Sequence, residues 1–416
     1  MKTENTTAQH KAPALLMLED GTCFEGVSCG ATGEVFGEVC FNTAVVGYLE
    51  IISDPSYTGQ ILVMTYPQIG NYGVARADLQ SEKLGLRGLV AHDINETPSN
   101  FRSEMSLPEF LATEGVVAIS QVDTRALTQH IRDNGSLRAV ISTSDLDRAS
   151  LLKKVQASTP LSEQNVTQEV SCKRAFEYLD KNEAYDFILK PAAPAQHKVV
   201  VYDCGVTASL LRNVQRAGCA VTVAPWNTPA QDILTVKPDG VIFSNGPGNP
   251  EQAQETIAAA AELLGKIPVL GVGFGMQIMA LAAGAEIERL KFGHHGCNIP
   301  VKNLTTGSTE ITTQHHNFGV VFASLGTALA QEGADAKAAL DNASGNALDN
   351  DAPVVKNERF GPIALTHTNL NDQTPEGISF LDIPAFGVQH HPDEASGSDE
   401  SHYVFTDFIK LMDAKN

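Results

Sequence analysis

The chain has 416 residues, 43% of them hydrophobic, and a formal net charge of −20. This length predicts two or three domains, and the composition excludes a disordered or membrane-embedded chain. The acidic balance argues against nucleic acid and anionic membrane surfaces as partners. The seven cysteines are odd in number and scattered without zinc-ligand spacing. This usage predicts reduced thiols and a cytoplasmic location.

The N-terminal third predicts a β-rich domain between two less regular segments. Residues 1–12 are polar and predict a frayed tail, and the apolar run 15–18 is too short for a signal peptide or a membrane span. Residues 13–155 combine short β-type runs with glycine turns, and their clearest helical pattern is at 125–133. We expect a mixed, β-rich α/β domain there. Residues 156–196 show little periodicity and predict a connector.

Apolar strands and helical segments alternate in the C-terminal part, residues 197–416. Residues 199–202 and 240–243 have strand patterns, and residues 251–264 have a helical pattern. This alternation predicts an open, mostly parallel sheet covered by helices on both faces, with ligands bound beyond the carboxyl ends of the strands. Residues 322–358 are dense in Ala, Asp, Asn and Gly, and we interpret them as a solvated surface insertion.

The most informative motif is a glycine turn between a strand and a helix. The apolar run 267–270 leads into Gly271-Val-Gly273-Phe-Gly275, and helix-forming residues 277–283 follow. Strand, tight glycine turn and helix form the device that presents a nucleophile at the mouth of an α/β sheet. Gly273, at the apex, has no side chain. The motif therefore predicts an enzyme scaffold that lacks its nucleophile.

A second glycine turn follows the strand at 240–243. Its sequence is Ser244-Asn-Gly246-Pro-Gly248-Asn-Pro. Glycine turns at strand ends let backbone N–H groups approach a ligand and form an oxyanion hole. Each turn alone is compatible with an ordinary strand–helix connection, but two at neighbouring strand ends favour a binding cleft.

Histidine pairs occur at 294–295, 315–316 and 390–391. Imidazole is a common metal ligand, but no pair has the i,i+4 helical spacing and no acidic residue recurs beside each pair, so we predict no metal site. The last pair precedes Asp393 and Glu394. His391 with a nearby carboxylate is typical of the base and orienting group of a nucleophile triad, and it is equally compatible with a polar surface turn.

Each half of the chain contains several short, specific motifs. The N-terminal motifs are Leu18-Glu-Asp-Gly-Thr22, Phe41-Asn-Thr43, Gly47-Tyr48, Asp54-Pro-Ser-Tyr57, Thr65-Tyr-Pro67, Ile69-Gly-Asn71, Asp123-Thr-Arg-Ala-Leu-Thr128 and Asn134-Gly-Ser136. The C-terminal motifs are Ser244-Asn-Gly-Pro-Gly248, Lys291-Phe-Gly-His-His-Gly296 and Thr366-His-Thr-Asn-Leu-Asn371. These motifs, in this order, resemble the small subunit of carbamoyl phosphate synthetase. The C-terminal half resembles a class I glutamine amidotransferase domain, a domain that other amidotransferases share, whereas the N-terminal domain is characteristic of this family.

The resemblance implies a glutamine-hydrolysing function with a large-subunit partner. In the family, a cysteine thiolate attacks the side-chain amide of glutamine, a His–Glu pair moves the protons, and ammonia travels to the large subunit. There it joins bicarbonate and ATP-derived phosphate in carbamoyl phosphate, for arginine and pyrimidine synthesis. The resemblance implies no cofactor in this chain, with ATP and Mg²⁺ on the large subunit only. It leaves open whether glutamine still binds.

The site residues that the resemblance implies depart from the family at several positions. Gly273 lies where the family has its cysteine, and Met276 lies where it has a histidine. His391 matches the catalytic histidine, and its carboxylate is either Asp393, in ungapped register, or Glu394, which keeps the residue type. The implied substrate-binding positions are Ser56, Gly246, Gly248, Phe274, Gln277, His315, Asn317 and Phe318. His315 and Asn317 replace the family's Asn and Gly, and Phe274 would offer its backbone N–H to the oxyanion.

The departures predict a small subunit without glutaminase activity. One alternative is an active subunit with an unrecognised nucleophile, for which Cys297 is the candidate, although it has no elbow to present it. A second is a non-catalytic regulatory protein that binds glutamine or another amino acid. A different hydrolase on the same fold has no support, because no serine occupies the elbow apex.

Overall fold

The structure is a computed structural model that describes residues 12–180, 195–329, 352–393 and 399–414. The chain folds into two compact units. The first unit comprises Met1–Phe41, Gln60–Arg76 and Leu86–Pro160, and the second comprises Asn42–Gly59, Ala77–Gly85 and Leu161–Asn416. The predicted frayed tail lies, up to residue 11, outside the described residues.

The first unit is built on a closed barrel. The strands in this part of the chain are β1 (Pro13–Leu18), β2 (Cys23–Ser28), β3 (Glu34–Asn42), β4 (Gln60–Met64), β5 (Gln68–Ile69), β6 (Gly88–Val90), β7 (Asp93–Ile94), β8 (Val117–Ser120) and β9 (Arg138–Ser142). The barrel order is β1-β2-β8-β6-β4-β3-β9, and β9 closes onto β1. The pairs β4–β6 and β6–β8 are parallel, and β5 pairs with β7 in a small separate sheet. The predicted mixed, β-rich character is confirmed.

The helices in the same stretch of sequence are short, and all but the first have a side-chain N-cap. They are α1 (Tyr48–Ser53), which belongs to the second unit, and α2 (Leu107–Thr113), α3 (Thr124–Asn134) and α4 (Arg148–Gln156). The Asp123 side chain accepts a hydrogen bond from the N–H of Ala126 at the start of α3, and Gly135, at φ 93°, ends that helix. Side-chain capping and a glycine stop are strong local signals. The helix expected at 125–133 is accordingly confirmed.

The second unit contains a 12-stranded mixed sheet. Its strands are β10 (Phe176–Tyr178), β11 (His197–Asp203), β12 (Cys219–Pro225), β13 (Gly240–Phe243), β14 (Val269–Val272), β15 (Glu286–Asn303), β16 (Thr309–Val321), β17 (Thr327–Ala328), β18 (Val354–Asn357), β19 (Gly361–Asn369), β20 (Pro375–Phe380) and β21 (Ala385–Val388). The main order is β10-β12-β11-β13-β14-β21-β20-β19-β15-β16. The strands β12, β11, β13, β14 and β21 run parallel, and antiparallel strands extend both sides.

Helices cover both faces of the parallel strands. They are α5 (Thr167–Val170), α6 (Ala208–Arg216), α7 (Ala230–Thr235), α8 (Gln254–Leu263), α9 (Phe274–Ala282) and α10 (Tyr403–Asp413). Alternate residues of β13 and β14 face two separate cores: Val241 packs with α8 and α9, whereas Ile242 packs with α6 and α10. A strand buried on both sides is continuously apolar, which explains the pattern in the sequence. The predicted open α/β domain is confirmed.

Part of the predicted connector is ordered structure. Within 156–196, β10 pairs antiparallel with β12, and Leu161 and Val166 are buried. The expectation of an irregular linker is wrong for these described residues, because a few apolar side chains bury against the second unit without any visible periodicity. Residues 181–194 lie outside the described residues.

The ends of the predicted insertion also belong to the core. Phe322, Leu325 and Val355 are buried in the same apolar cluster as α8 and α9, and β18 pairs with β17 and β19. A fully solvated insertion at 322–358 is therefore wrong at both ends, since these large apolar residues contribute to the core. Its middle, 330–351, lies outside the described residues. No helix among the described residues is long and apolar enough to cross a membrane.

Candidate functional site

Three neighbouring parallel strands deliver polar groups and glycine turns to one edge of the sheet. Ser244 and Asn245 follow β13, Gly273 follows β14, and His391 lies three residues beyond β21. The register pairs β13 with β14 and β14 with β21, so these ends are adjacent. The carboxyl edge of parallel strands is the usual position of ligand sites in open α/β sheets. The structure therefore brings both predicted glycine turns and His391 together.

The turn at Gly273 has the strained backbone of a nucleophile elbow. Gly273 adopts φ 57° and ψ −115°, and its N–H donates to the carbonyl of Val388 at 2.8 Å. A Cβ on Gly275 would lie 1.9 Å from the carbonyl oxygen of Phe243. Glycine at 275 thus lets α9 pack directly on β13. The glycines of this turn are explained by close backbone approach and by a positive φ.

The apex is open toward the imidazole of His391. A Cβ built at Gly273 would lie 3.6 Å from each of three atoms: the Nε2 of His391, the Cβ of Asn245 and the carbonyl oxygen of Gln389. These separations are ordinary van der Waals contacts. A side chain at this position would meet no obstacle at its first atom and would point at an imidazole nitrogen.

The second glycine turn is shaped by its own backbone contacts. A Cβ on Gly246 would lie 2.4 Å from the carbonyl oxygen of Cys204, and Gly248 has φ +78°. Side chains are therefore disfavoured at both positions independently of any ligand. A substrate contact at Gly246 or Gly248 stays a prediction.

A carboxylate that the sequence did not single out lies close to His391. The Nδ1 of His391 lies 3.8 Å from the Oδ2 of Asp54, and both side chains are buried. Asp54 directly follows α1, far away in sequence. It belongs to the Asp54-Pro-Ser-Tyr motif noted above, but the motif gave no indication that its carboxylate faces an imidazole.

One oxygen of Asp393 is engaged elsewhere, whereas its Oδ1 is buried without a hydrogen-bond partner among the described residues. Its Oδ2 accepts hydrogen bonds of 2.7 Å from the hydroxyls of Thr207 and Ser209. Among the described residues, no hydrogen bond joins Asp393 to His391, although Asp393 is one of the two carboxylates predicted to pair with it. The alternative, Glu394, lies outside them.

His315 forms a short polar contact in the site. Its Nδ1 donates to the Oδ2 of Asp54 at 2.6 Å, with both side chains fully buried, and its ring centroid lies 4.9 Å from that of His391. Burial alone would raise the pKa of Asp54, but the hydrogen bond from His315 and the nearby imidazoles outweigh it and lower the pKa. For His391 the effect of burial has the opposite sign: it lowers the pKa of the imidazole, and the nearby Asp54 offsets this only in part. These shifts favour a charged Asp54 and a neutral His391.

Ser56 lies beside this group. Its backbone N–H donates to the Oδ1 of Asp54 at 2.8 Å, and its hydroxyl accepts from the Nδ2 of Asn245 at 3.4 Å. The predicted position Ser56 is therefore close to the elbow. This hydrogen bond joins the glycine turn after β13 to the segment that carries Asp54.

The remaining predicted substrate positions bond to the protein itself. The Gln277 Nε2 donates to the carbonyl of Phe318 at 2.6 Å and to the Oε1 of Gln389 at 3.1 Å. The Oδ1 of Asn317 accepts from the Nε2 of His295 at 2.8 Å, and burial lowers the pKa of His295 to about 3. Phe274 begins α9, and its ring is buried in the core. Contacts of these residues with glutamine stay predictions.

His294, in the first of the three histidine pairs, lies in a cluster with two carboxylates. The Nε2 of His294 lies 2.8 Å from the Oδ2 of Asp372, and its Nδ1 lies 3.5 Å from the Oε1 of Glu376. Burial opposes the imidazolium, but the two carboxylates outweigh it and raise the pKa of His294 to about 9. At neutral pH this histidine is a charged structural group.

No cysteine of the described chain occupies an elbow. Cys297 lies within the antiparallel strand β15, without a strand-to-helix turn to present it. Cys204 is buried near the second glycine turn, and burial raises the pKa of its thiol. A surface cavity of about 400 Å³, lined among others by Glu310, Glu400 and Tyr403, includes none of the predicted site residues. The elbow therefore remains the candidate functional site.

Comparisons with known proteins agree with this architecture. Residues 16–141 match the family model of the carbamoyl-phosphate synthase small chain, CPSase domain, and residues 200–345 and 348–411 match that of glutamine amidotransferase class I. The carbamoyl phosphate synthase small chain of Syntrophotalea carbinolica is 41% identical over 404 residues, covering 96% of this chain and 98% of that protein. The small chain of Thermotoga maritima is 42% identical over 403 residues, with coverages of 96% and 98%.

A third relative extends the same agreement. The carbamoyl phosphate synthase small chain of Rhodopirellula baltica is 40% identical over 412 residues, covering 97% of each chain. Both halves are thus matched in the order and at nearly the full length of these relatives. The chain belongs to the carbamoyl phosphate synthase small chain family, with an N-terminal small-chain domain and a C-terminal class I glutamine amidotransferase domain.

Proposed function

We propose that this chain is a carbamoyl phosphate synthase small subunit that supports its large subunit without hydrolysing glutamine. One observation carries the proposal: the elbow apex is Gly273, and the space above it, 3.6 Å from the Nε2 of His391, receives no sulfur or oxygen from that position. The scaffold for presenting a nucleophile is present, and the nucleophilic atom is missing.

The chemistry of amide hydrolysis makes this substitution decisive. Acyl transfer from a glutamine side chain through a covalent intermediate needs a thiolate or alkoxide at the apex. Removal of a catalytic nucleophile in a triad costs on the order of 10⁶-fold in turnover. The hydroxyls of Thr207 and Ser209 do not compensate, because both are hydrogen-bonded to Asp393.

The remaining role is that of a partner subunit. We infer that the large subunit binds this chain, supplies ATP and Mg²⁺ binding, and takes ammonia from solution. This chain itself needs no cofactor for that role. The product, carbamoyl phosphate, would serve arginine and pyrimidine synthesis in the cytoplasm. The departures at Met276, His315 and Asn317 support a pocket released from glutamine hydrolysis.

A two-part assay tests the proposal. Purified chain is incubated with glutamine and glutamate release is measured, with Gly273→Ala as the background control. The chain is then mixed with a carbamoyl phosphate synthase large subunit, and product formation is compared with glutamine or ammonium as nitrogen donor. We expect no glutamate above background, stable association with the large subunit, and synthesis with ammonium only.

Each other result favours a different function. Glutamate release by the unmodified chain would indicate a nucleophile other than residue 273 and would contradict the proposal. Failure to associate with the large subunit, together with saturable amino-acid binding, would indicate a regulatory binding protein.

A further inference from the structure

Three ligand-type side chains from distant segments converge beneath the elbow. Asp54 follows α1, His315 lies in β16, and His391 follows β21, and all three are buried. One ligating atom from each lies within 4.8 Å of the other two. The Nδ1 atoms of both histidines face the same Oδ2 of Asp54, at 2.6 Å and 3.8 Å.

A second observation concerns a buried ring nitrogen of His391 that lacks a hydrogen-bond partner. Among the described residues, the buried Nδ1 of His391 has no hydrogen-bond partner, and it lies 3.8 Å from the Oδ2 of Asp54. Leaving a buried polar atom unsatisfied is costly, and such atoms in native proteins often mark a missing water or ion. This atom therefore points to a ligand in the space that it shares with the carboxylate.

The donor set specifies the kind of ligand. Two imidazoles and one carboxylate are the ligands of open Zn²⁺ sites and of many other first-row transition-metal sites. Metal–ligand bonds of about 2.0–2.2 Å place tetrahedral ligand atoms roughly 3.3–3.5 Å apart. The pairs measured to Asp54, at 2.6 Å and 3.8 Å, bracket this separation.

We propose that Asp54, His315 and His391 form a binding site for one divalent transition-metal ion of the zinc type. The backbone N–H of Ser56 holds the other oxygen of Asp54 at 2.8 Å, which fixes the carboxylate as outer-shell hydrogen bonds do in metal sites. The spacing of adjacent histidines in the sequence predicts no metal site. This spacing contains no information about ligands that folding brings together from three separate segments.

The other histidine cluster does not carry the same argument. His294, His316 and Glu376 also place ligand atoms within 4.8 Å. Both ring nitrogens of His316 are already bonded, to the carbonyl of Phe318 and to the Oε1 of Gln314. His294 is held between carboxylates as a charged group. A metal there would have to displace a hydrogen bond of His316 and an ion pair of His294, whereas at the proposed site it displaces only the hydrogen bond between His315 and Asp54.

The proposed metal has a chemical consequence for the elbow. A metal on Nδ1 leaves the hydrogen of neutral His391 on Nε2, the nitrogen that faces Gly273. This nitrogen then donates a hydrogen bond and does not accept a proton. The proposal stands independently of the proposed function, since a chain without glutaminase activity need not bind a metal.

Metal titration of the full chain tests the proposal. The chain is stripped with a chelator and titrated with Co²⁺, whose visible spectrum reports coordination, and bound Zn²⁺ is measured by mass spectrometry. The variants are His315→Asn and Asp54→Asn, with His402→Asn as matched control and His294→Asn to report on the other cluster. We expect one equivalent in the unmodified chain and both controls, and at least about 100-fold weaker binding in the two site variants.

The contradicting results are equally concrete. The proposal fails if the unmodified chain binds no Co²⁺, if binding survives His315→Asn or Asp54→Asn, or if only His294→Asn abolishes it. Circular dichroism checks that the variants fold. If they do not, X-ray absorption of the Co²⁺-loaded His294→Asn variant decides, because this variant lacks the other cluster: two imidazoles with oxygen support the site, and any sulfur ligand or a shell with fewer than two imidazoles overturns it.

Discussion

Replacement of Gly273 by cysteine is the most direct test of the elbow. The apex has φ 57° and ψ −115°, a conformation that side-chain-bearing residues rarely adopt. Such strain costs about 1–3 kcal/mol per residue. The nearest neighbours of a new Cβ are 3.6 Å away, so no steric clash adds to that cost. We therefore expect both Gly273→Cys and Gly273→Ala to lower the free energy of unfolding by about 1–3 kcal/mol.

The catalytic effect of the same change should be small. The new thiol would face the Nε2 of His391, but the rest of the pocket is committed to internal bonds. The Gln277 amide bonds to Phe318 and Gln389, and His315 is held by Asp54. We expect Gly273→Cys to recover at most about 10²-fold of the roughly 10⁶-fold deficit that loss of a nucleophile produces.

Two assays check both parts. Urea denaturation gives the stability change, and coupled detection of glutamate gives turnover, with Gly273→Ala supplying the strain without the thiol. Recovery of about 10⁴-fold or more from the single change would show that the pocket is intact, and would refute the reasoning from His315 and Gln277. An alanine variant as stable as the unmodified chain would refute the strain argument.

Three further perturbations follow from the second unit. Gly275→Ala should destabilise by about 3 kcal/mol or more, since its Cβ would lie 1.9 Å from the carbonyl oxygen of Phe243; unchanged urea denaturation would contradict this. The raised pKa of His294, from 6.5 to about 9, means that its ion pairs stabilise fully below pH 6.5 and that this contribution is lost as the pH rises through 9. The loss is at most about 3 kcal/mol, reduced by solvent screening, and His294→Gln should flatten the stability profile between these pH values. Thr207→Val removes a 2.7 Å hydrogen bond to Asp393 and the cap of α6, and should cost about 1–3 kcal/mol in thermal or urea unfolding.

Local signals in the sequence were sufficient for much of the fold. Asp123 and Gly135 mark the ends of α3, and the continuous apolar run of β14 predicts a strand buried on both faces. These signals work because capping and burial act over a few neighbouring residues. They failed at Leu161 and Val355, isolated apolar residues that pack into cores without any local periodicity.

The same distinction between local and tertiary information applies to the candidate site. The glycine pattern around Gly273 was enough to predict an elbow without a nucleophile, because a strand–turn–helix device is encoded in consecutive residues. Only the tertiary structure identified Asp54 as a carboxylate that faces His391. It also showed that His315 is the hydrogen-bond partner of Asp54. These residues lie far apart in the chain, and their contact depends on how α1, β16 and β21 pack. A sequence records which groups are available, whereas their distances and the resulting charge states arise only when the chain is folded.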